Sequence, residues 1–463
     1  MPLIKSISGI RGTIGGKIGD NLTPVDVVKF VSAYGSWLKA QTSKENYKVV
    51  VGRDARISGD MMERLVTATL SGLGIDVVNL GLSTTPTVEM AVPLERADGG
   101  IVITASHNPK QWNALKLLNA AGEFLNASEG KEVLHRAEAG NFSFAEVEQL
   151  GKITRRDDYI DIHIDYILKL PLVGVEKVKT ARFKVVVDAV NSTGGIAVPR
   201  LLEKLGVEVI PLYCEPTGDF PHDPEPLREH LTEISERVVR EKADLGFVVD
   251  PDVDRLAIVC HDGEMFGEEY TLVACADYVL GRVTGCTVSN LSSSRALRDI
   301  TGKHGGTYKA AAVGEVNVVA CMKAHTAVIG GEGNGGVIYP NLHYGRDALV
   351  GIALFLTHLA ETGLTAKALR DGYPAYYMSK QKVALSPGFD ADAVLEGLRA
   401  KYASGDISTV DGLKIDFPES WVHLRKSNTE PIVRIYTEAA SQQEADALAE
   451  RFIGEIEAMA KGG

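Results

Sequence analysis

The stretch Gly100-Ile-Val-Ile-Thr-Ala-Ser-His-Asn-Pro109 is an apolar, strand-like run that ends in a polar loop. A second stretch, Leu245-Gly-Phe-Val-Val-Asp-Pro-Asp-Val-Asp-Arg255, follows the same plan and ends in three aspartates at alternate positions. Polar loops at the carboxyl ends of apolar strands are where open α/β sheets carry their chemistry. The two stretches therefore predict an α/β fold with a site built from both loops.

The residue types in these two loops predict phosphate chemistry at a metal ion. In an extended segment, Asp250, Asp252 and Asp254 would point the same way, and three converging carboxylates suit one hard divalent cation such as Mg2+. Ser106 supplies a hydroxyl nucleophile, and Arg255 can hold phosphate oxygens. Alone, a serine before Asn-Pro is most often a turn, and an aspartate-rich loop is most often solvated. Their joint occurrence predicts a phosphoserine beside a metal ion.

Length, composition and charge restrict the class of protein. The 463 residues are too many for one core and suggest three or four domains. No apolar stretch approaches the ~20 residues of a membrane span, and the first residues lack signal-peptide features, so we expect a cytoplasmic protein. A net charge of −12 disfavours nucleic acid and anionic membranes as partners. Five cysteines without a CxxC pair argue against a disulfide framework or a zinc site, so we expect reduced, mostly buried thiols.

The order of strand-like and helix-like runs predicts the domain organisation. These runs alternate through roughly the first 365 residues, which is typical of α/β units. We expect three consecutive α/β domains with mixed, largely parallel sheets, formed by residues 1–152, 153–255 and 256–370, the third opening on the strand at Leu256. Residues 371–463 contain several strand candidates and a final amphipathic helix, and they predict a smaller α+β domain.

Six motifs in one order resemble the α-D-phosphohexomutase family, which includes phosphoglucomutase, phosphomannomutase and phosphoglucosamine mutase. They run nearly end to end: Ser8-Gly-Ile-Arg11-Gly12, the serine loop 104–109, Gly218-Asp-Phe-Pro221 with Asp223-Pro-Glu-Pro226, the aspartate loop 250–255, Gly331-Glu332-Gly-Asn334-Gly335-Gly336, and Arg425-Lys-Ser427-Asn428-Thr429-Glu-Pro431. The resemblance implies that the four domains surround a central cleft. It also implies a mutase that interconverts hexose 6-phosphate and hexose 1-phosphate through a phosphoserine and a bisphosphorylated sugar.

The resemblance assigns roles to the residues of the two loops. Ser106 would carry the phosphoryl group and, with the three aspartates, hold one Mg2+ per chain, while Arg11 and Arg255 would face the phosphate. Lys116 lies where the family has its general base, a role that requires a pKa lowered by burial or by nearby cations. His107 is the competing base, because its unperturbed pKa lies nearest neutrality. Hexose 1,6-bisphosphate would be the intermediate and activator.

The last two motifs would bind the substrate, a small-molecule sugar phosphate. Glu332 and Asn334 are expected to read the sugar, and a cup for the non-reacting phosphate would consist of Arg425, Ser427, Asn428 and Thr429. The commonest family pattern is Glu-X-Ser-Gly-His, so Asn334 replaces the serine and Gly336 the histidine. The carboxamide and the freed space favour an amino group at the 2-position, hence glucosamine phosphates. A phosphoglucomutase or phosphomannomutase stays the alternative.

Two other classes of function remain open from the sequence. A metal-dependent sugar phosphatase would use Asp250 as its nucleophile, but it would leave Ser106 and the phosphate cup unexplained. A catalytically silent sugar-phosphate-binding protein is disfavoured by the intact serine and aspartates. The protein is expected to be a monomer or a homodimer.

Overall fold

The computed structural model describes residues 3–6, 9–384, 391–426 and 432–462. The strands are β1 Ile4–Ser6, β2 Gly9–Thr13, β3 Tyr47–Arg53, β4 Ile75–Leu82, β5 Gly99–Ile103, β6 Trp112–Leu118, β7 Ile153–Arg155, β8 Lys184–Asp188, β9 Glu208–Leu212, β10 Leu245–Val249, β11 Leu256–Cys260, β12 Cys286–Asn290, β13 Thr307–Ala311, β14 Ala327–Glu332, β15 Gly336–Ile338, β16 Tyr377–Ala384, β17 Asp406–Ser408, β18 Leu413–Asp416, β19 Trp421–Lys426 and β20 Ile432–Ala439.

The helices alternate with strands up to residue 371, as the sequence pattern predicts. They are α1 Pro24–Gln41, α2 Gly59–Gly72, α3 Thr85–Leu94, α4 Ala127–Ala139, α5 Tyr159–Leu168, α6 Val175–Ala181, α7 Gly194–Lys204, α8 Thr232–Glu241, α9 Glu268–Leu280, α10 Ala296–Lys303, α11 Glu315–Ala324, α12 Ala348–Thr362, α13 Ala366–Asp371, α14 Ala391–Lys401 and α15 Gln442–Gly462. Within these described ranges, every helix is too short or too polar to cross a lipid bilayer.

The first sheet has seven strands in the order β1-β2-β6-β5-β3-β4-β7. Strands β5, β3, β4 and β7 run parallel, and β6, β2 and β1 continue the sheet antiparallel. Both faces of β3 are buried, because Val49 and Val51 face one hydrophobic core and Val50 faces another. A strand that is buried on both faces consists of a continuous run of apolar residues, and such a run can be recognised in the sequence.

The second sheet has the order β11-β10-β8-β9 and carries the aspartate loop. Strands β10, β8 and β9 are parallel, whereas β11 pairs antiparallel with β10 in the register Val249↔Leu256. The pattern places β11 at the start of the third α/β block, whereas the structure pairs it with β10. The loop 250–255 is short enough to close a hairpin, so β11 stays on the sheet of β10.

The remaining strands form a parallel and an antiparallel group. Strand β12 pairs in parallel with β13 and β14. The last sheet is antiparallel, in the order β16-β20-β19-β18-β17, and packs its apolar face against α14 and α15. The fold class is therefore confirmed: three α/β domains with mixed sheets and a C-terminal α+β domain.

The chain forms two compact units, each described here by itself. One comprises residues 1–278 with 334–369, and the other comprises residues 279–333 with 370–463. The predicted boundaries at 152, 255 and 370 stay predictions. All five cysteines lie in the described part of the chain as free thiols, and Cys260, Cys275 and Cys286 are buried.

Candidate active site

Ser106 sits in a tight loop directly after β5, as the sequence predicts. Its backbone adopts φ = 49°, a left-handed conformation that costs energy for a residue with a side chain. The backbone N–H of Ser106 donates to Thr104 Oγ1 at 2.9 Å, and Ser106 Oγ donates to Asp250 Oδ2 at 2.7 Å. The structure therefore joins the two loops through a direct hydrogen bond between the predicted nucleophile and the first aspartate.

Arg56 holds the serine loop in this conformation, and sequence reasoning missed it. Its side chain is 1% exposed, and its Nε donates to Asp54 Oδ2 at 3.0 Å. Its two Nη atoms donate to the carbonyl oxygens of Ser106, Asn108, Pro109 and Trp112. All five N–H groups of the guanidinium are thereby used. The signal was the charged loop Arg53-Asp54-Ala-Arg56 at the carboxyl end of β3, the strand beside β5.

The motif at Gly218 has a structural role beneath this loop. Gly218 has φ = 74°, and a Cβ there would lie 2.0 Å from the carbonyl oxygen of Ala55, so only glycine fits. Two residues later, the ring of Phe220 lies 5.0 Å from the Arg56 guanidinium. The third of the six motifs therefore packs on the arginine that supports Ser106.

We expect Arg56→Lys to lower kcat by about 10²-fold with little change in KM, because a misplacement of ~1 Å at a reacting group has that scale of effect. A lysine keeps the charge but cannot supply five donors, so buried carbonyls lose partners and the urea midpoint of unfolding should also fall. Steady-state kinetics and urea titration measure both changes. Arg64→Lys is the matched control, because Arg64 is 79% exposed and pairs only with Asp60 on α2 among the described residues. An unchanged kcat in Arg56→Lys would contradict the assignment.

The aspartate loop is a tight turn and not the extended segment that the alternate spacing predicts. Asp250 Oδ1 accepts the backbone N–H groups of Asp254 and Arg255, both at 3.1 Å, which curls the chain back on itself. Val253 takes φ = 65°, which is a strained value for a β-branched residue. The carboxylates converge because the turn folds around Asp250, so the predicted cluster is present for a different physical reason.

The three carboxylates suit a divalent cation. Each offers an oxygen, and these oxygens lie within 4.8 Å of one another. All three residues are fully buried, and burial together with the charges of Asp254 and Asp252 holds the pKa of Asp250 well above its usual range. Asp252 Oδ1 and Asp254 Oδ1 are buried and accept no hydrogen bond from any described residue. A hard cation would offset this crowded negative charge and would bind the two oxygens that accept no hydrogen bond.

A second group of potential metal ligands, formed by His163, His343 and Asp347, differs from this one. Asp347 Oδ1 accepts the N–H groups of Leu349 and Val350 and caps α12, while its Oδ2 lies 2.9 Å from His163 Nε2 and 3.3 Å from His343 Nε2. Burial disfavours the Asp347 charge, but the two histidines outweigh it and lower its pKa. Both oxygens of this carboxylate are satisfied within the protein, so we interpret the group as a structural cap.

Lys116 is a buried cation paired with the aspartates. Its Nζ lies 2.7 Å from Asp252 Oδ2 and 3.5 Å from Asp254 Oδ2. Burial acts to lower the pKa of Lys116, but the two carboxylates outweigh it and raise the pKa above its usual value. The shift is therefore opposite to the expected lowering, because the expectation counted nearby cations and not these carboxylates. The role of general base stays a prediction.

His107 is buried beside the same charges. Burial first, and then the charges of Arg255 and Arg346, lower the pKa of His107 to about 2. Its Nδ1 is buried and makes no hydrogen bond to any residue within the described ranges. His107 is thus neutral near pH 7 and a weak base, which makes it a poor competitor for the role of general base.

The two predicted phosphate-facing arginines lie in the same unit as Ser106. Arg255 Nε lies 3.8 Å from Asp254 Oδ1, so its side chain borders the aspartate turn. Arg11 lies on β2 directly opposite Ala114 of β6, two residues before Lys116. Directly opposed residues share a face of the sheet, as do residues two apart, so Arg11 and Lys116 project from the same face.

Comparison with known proteins now identifies the family. The α/β/α domains I, II and III of phosphoglucomutase/phosphomannomutase match residues 4–143, 161–263 and 267–376. The C-terminal domain of the same family matches residues 380–455. The chain belongs to the phosphoglucomutase/phosphomannomutase family. It is therefore a phosphohexomutase, as the six motifs predict.

Relatives of this phosphohexomutase span nearly its whole length. A phosphoglucomutase/phosphomannomutase of Thermococcus kodakarensis is 35% identical over 97% of this chain and 99% of its own. A phosphoglucosamine/phosphogalactosamine mutase of Sulfurisphaera tokodaii is 32% identical over 95% of this chain and 96% of its own. The crystal structure of a family protein from Burkholderia thailandensis is 28% identical, with a TM-score of 0.84 over 99% of both chains.

The predicted sugar-reading residues of this phosphohexomutase fall in both units. Glu332, in the second unit, is buried, and its Oε1 accepts from Asn290 Nδ2 at 2.8 Å and from the Gly314 N–H at 3.1 Å. Asn334, in the first unit, accepts the Gly336 N–H through Oδ1 at 3.3 Å. These contacts orient both side chains, and the predicted role in sugar recognition stays a prediction.

The predicted phosphate cup is described only in part. Arg425 is the penultimate residue of β19 in the second unit, and its Nε lies 2.9 Å from Asp411 Oδ2. Ser427, Asn428 and Thr429 lie outside the described residues. The cup at these four positions therefore stays a prediction.

Proposed function

We propose that this phosphohexomutase interconverts glucosamine 6-phosphate and glucosamine 1-phosphate, with Ser106 as the phosphoryl carrier. The support for the sugar is the relative from Sulfurisphaera tokodaii, named a phosphoglucosamine/phosphogalactosamine mutase, which aligns with 95% of this chain. The observation that carries the phosphoryl chemistry is the hydrogen bond from Ser106 Oγ to Asp250 Oδ2 inside a buried group of carboxylates. A serine phosphorylated there would lie beside both the aspartates and the cations that neutralise its charge.

Different residues of this chain have different roles in the transfer of the phosphoryl group. In the phosphorylated enzyme, the Ser106 phosphoryl group passes to the free sugar hydroxyl, the P–O bond to Ser106 breaks, and the proton that the hydroxyl loses is balanced by one that Ser106 Oγ gains. Lys116 is held by Asp252 and Asp254 beside this loop, and we assign it the relay of this proton: as a cation, it gives one proton to Ser106 Oγ and takes one from the attacking oxygen. Arg255 and Arg11 are assigned to the oxygens of the phosphoryl group. The bisphosphate then returns its other phosphoryl group to Ser106 and leaves as the isomer.

The aspartate turn would hold the metal ion, with Asp250, Asp252, Asp254 and an oxygen of phospho-Ser106 as ligands. All four ligands are oxygen atoms, which favours Mg2+ over the softer transition metals. When bound, Mg2+ supplies Lewis-acid stabilisation of charge on the transferring phosphoryl group. The protein is expected to work on its sugar phosphate in the cytoplasm as a monomer or a homodimer.

A second candidate, the neutral hexose phosphates of glucose and mannose, is favoured by the surroundings of Gly336. The missing histidine predicts free space there, but the aliphatic part of Arg346 fills it, 2.4 Å from where a Cβ would lie. The Asn334 carbonyl oxygen is used by the Gly336 N–H, which leaves the amide NH2 as a donor. An amide donor suits a hydroxyl better than an ammonium group, and the filled space removes the argument from free space for glucosamine.

Turnover of the 1-phosphates of glucosamine, glucose and mannose, measured side by side with Mg2+ and the matching bisphosphate, tests the proposal. We expect kcat/KM for glucosamine 1-phosphate to exceed that for the others by about tenfold or more, since pocket changes among such analogues give ~10–200-fold preferences. A higher value for glucose or mannose would favour the second candidate. Release of inorganic phosphate without formation of the isomer would instead indicate a phosphatase.

A further inference from the structure

In the first unit, the Arg346 side chain fills the space beside the backbone of Gly336. Gly336 does not have a positive φ, so its backbone does not require glycine. A Cβ at this position would lie 2.4 Å from Arg346 Cδ and 3.0 Å from Arg346 Cγ, which no side chain tolerates without displacing the arginine. Glycine at 336 is therefore explained by the path of the Arg346 side chain. The chain lacks the family's usual histidine because an arginine from further along the sequence passes there.

The backbone holds Arg346 firmly at this place. The next residue, Asp347, donates its N–H to the Val337 carbonyl at 2.8 Å and caps α12 with its side chain. The N–H of Ala348 donates to the carbonyl oxygen of Val253, in the aspartate turn, at 3.1 Å. Arg346 itself is 8% exposed. The segment is thus tied on one side to β15 and on the other to the metal-binding turn.

The Arg346 guanidinium contacts one oxygen of one predicted metal ligand. Its Nη2 donates to Asp254 Oδ2 at 2.7 Å, and Lys116 Nζ lies 3.5 Å from the same oxygen. The other oxygen, Oδ1, is buried and accepts no hydrogen bond within the described part of the chain. The arginine therefore fixes the plane of this carboxylate and leaves Oδ1 for a cation. It also offsets negative charge that would otherwise attract that cation more strongly.

We propose that Arg346, in the space left by Gly336, is a positioning residue of the metal site that orients Asp254 and weakens its hold on the cation. This inference rests on the proposed function. A site with three carboxylates and few cations would bind a divalent ion tightly but would repel a phosphoryl group. Arg346 shifts that balance, because it keeps the site with its bound cation positive enough to receive the phosphorylated sugar. Arg346 thus favours phosphoryl transfer and at the same time lowers the affinity of the site for its cation.

The test measures two quantities that a merely structural role would change in the same direction. In Arg346→Gln, Mn2+ should bind without sugar phosphate about tenfold more tightly than in wild type, because a like charge beside the cation is removed. Turnover of the hexose phosphate should fall about tenfold or more. Titration of the full chain with Mn2+, followed by electron paramagnetic resonance of the free ion, gives the affinity. Unchanged or weaker Mn2+ binding in Arg346→Gln overturns the proposal.

Further variants keep the test decisive if Arg346→Gln does not fold. Arg346→Lys keeps the charge, so Mn2+ affinity should stay within about threefold of wild type while turnover falls through lost orientation. Gly336→Val should displace Arg346 and tighten Mn2+ binding, and it should add little in the Arg346→Gln background because the two positions are coupled. Tighter binding in Arg346→Lys, or additive effects of the two positions, would count against the proposal.

Arg136→Gln is the matched control, because it removes an arginine that pairs with Glu132 on α4. It should change neither Mn2+ affinity nor turnover, and a change in either would show that loss of any positive charge gives the effect. The wild-type assay separates this inference from the proposed function. If wild type turns over no hexose phosphate, the proposed function fails, while the Mn2+ titrations still decide the role of Arg346.

Discussion

Ser106→Ala should abolish isomerisation, with a loss of kcat of at least ~10³-fold, because the phosphoryl group then has no covalent carrier. The substitution removes one hydrogen bond, from Oγ to Asp250 Oδ2, so the fold should survive at a cost of about 1 kcal/mol. The mass of wild-type protein incubated with hexose 1,6-bisphosphate should rise by one phosphoryl group, and that of Ser106→Ala should not. Intact-protein mass spectrometry and coupled kinetics measure the two effects.

Ser128→Ala is the matched control for this variant. Ser128 lies in the first turn of α4 at the protein surface, where its backbone N–H donates to the Asn126 side chain. Activity and phosphorylation should both match wild type. Retention of a tenth or more of wild-type turnover in Ser106→Ala would refute the carrier assignment. Phosphorylation of Ser106→Ala at another residue would do the same.

Asp252→Asn should lower kcat by ~10²- to 10³-fold, which corresponds to the several kcal/mol that a metal ion contributes to transition-state stabilisation. The substitution removes one charge from the cation site and, among the described residues, leaves the more distant Asp254 as the carboxylate partner of Lys116. Binding of Mn2+ should weaken in parallel, in contrast to its expected tightening in Arg346→Gln. Addition of EDTA to wild type should give the same loss of turnover, and Mg2+ should restore it.

Asp262→Asn tests whether the effect is specific to the aspartate turn. Asp262 is an exposed aspartate that follows β11 and accepts the Glu264 N–H, so its loss should change neither Mn2+ affinity nor turnover. Normal turnover of wild type in excess EDTA, or of Asp252→Asn at low Mg2+, would show that the three carboxylates serve no catalytic cation. In that case the charges of Lys116 and Arg255 would have to stabilise the transferring phosphoryl group alone.

The sequence by itself determined the strands and the loops that follow them. Buried parallel strands such as β5 and β10 must be apolar on both faces, so they appear as continuous runs, and the polar residues after them stand out. Six short motifs were enough to predict the family, because the serine and aspartate loops among them combine residue types that phosphate and metal chemistry needs at close spacing. These are local properties of the sequence, and they can be recognised without knowing how the chain folds.

Only the tertiary structure decided which residues that are distant in the sequence make electrostatic and steric contacts. The Lys116 pKa rises because two carboxylates from another loop lie within 3.5 Å of its Nζ, and no spacing along the sequence reveals that pairing. Arg56 supports the serine loop from the loop that follows β3, 50 residues away from Ser106. Gly336 seemed to leave room for a sugar substituent, yet Arg346 fills that room from ten residues further on. Electrostatic and steric effects depend on separation in space, and the fold sets that separation.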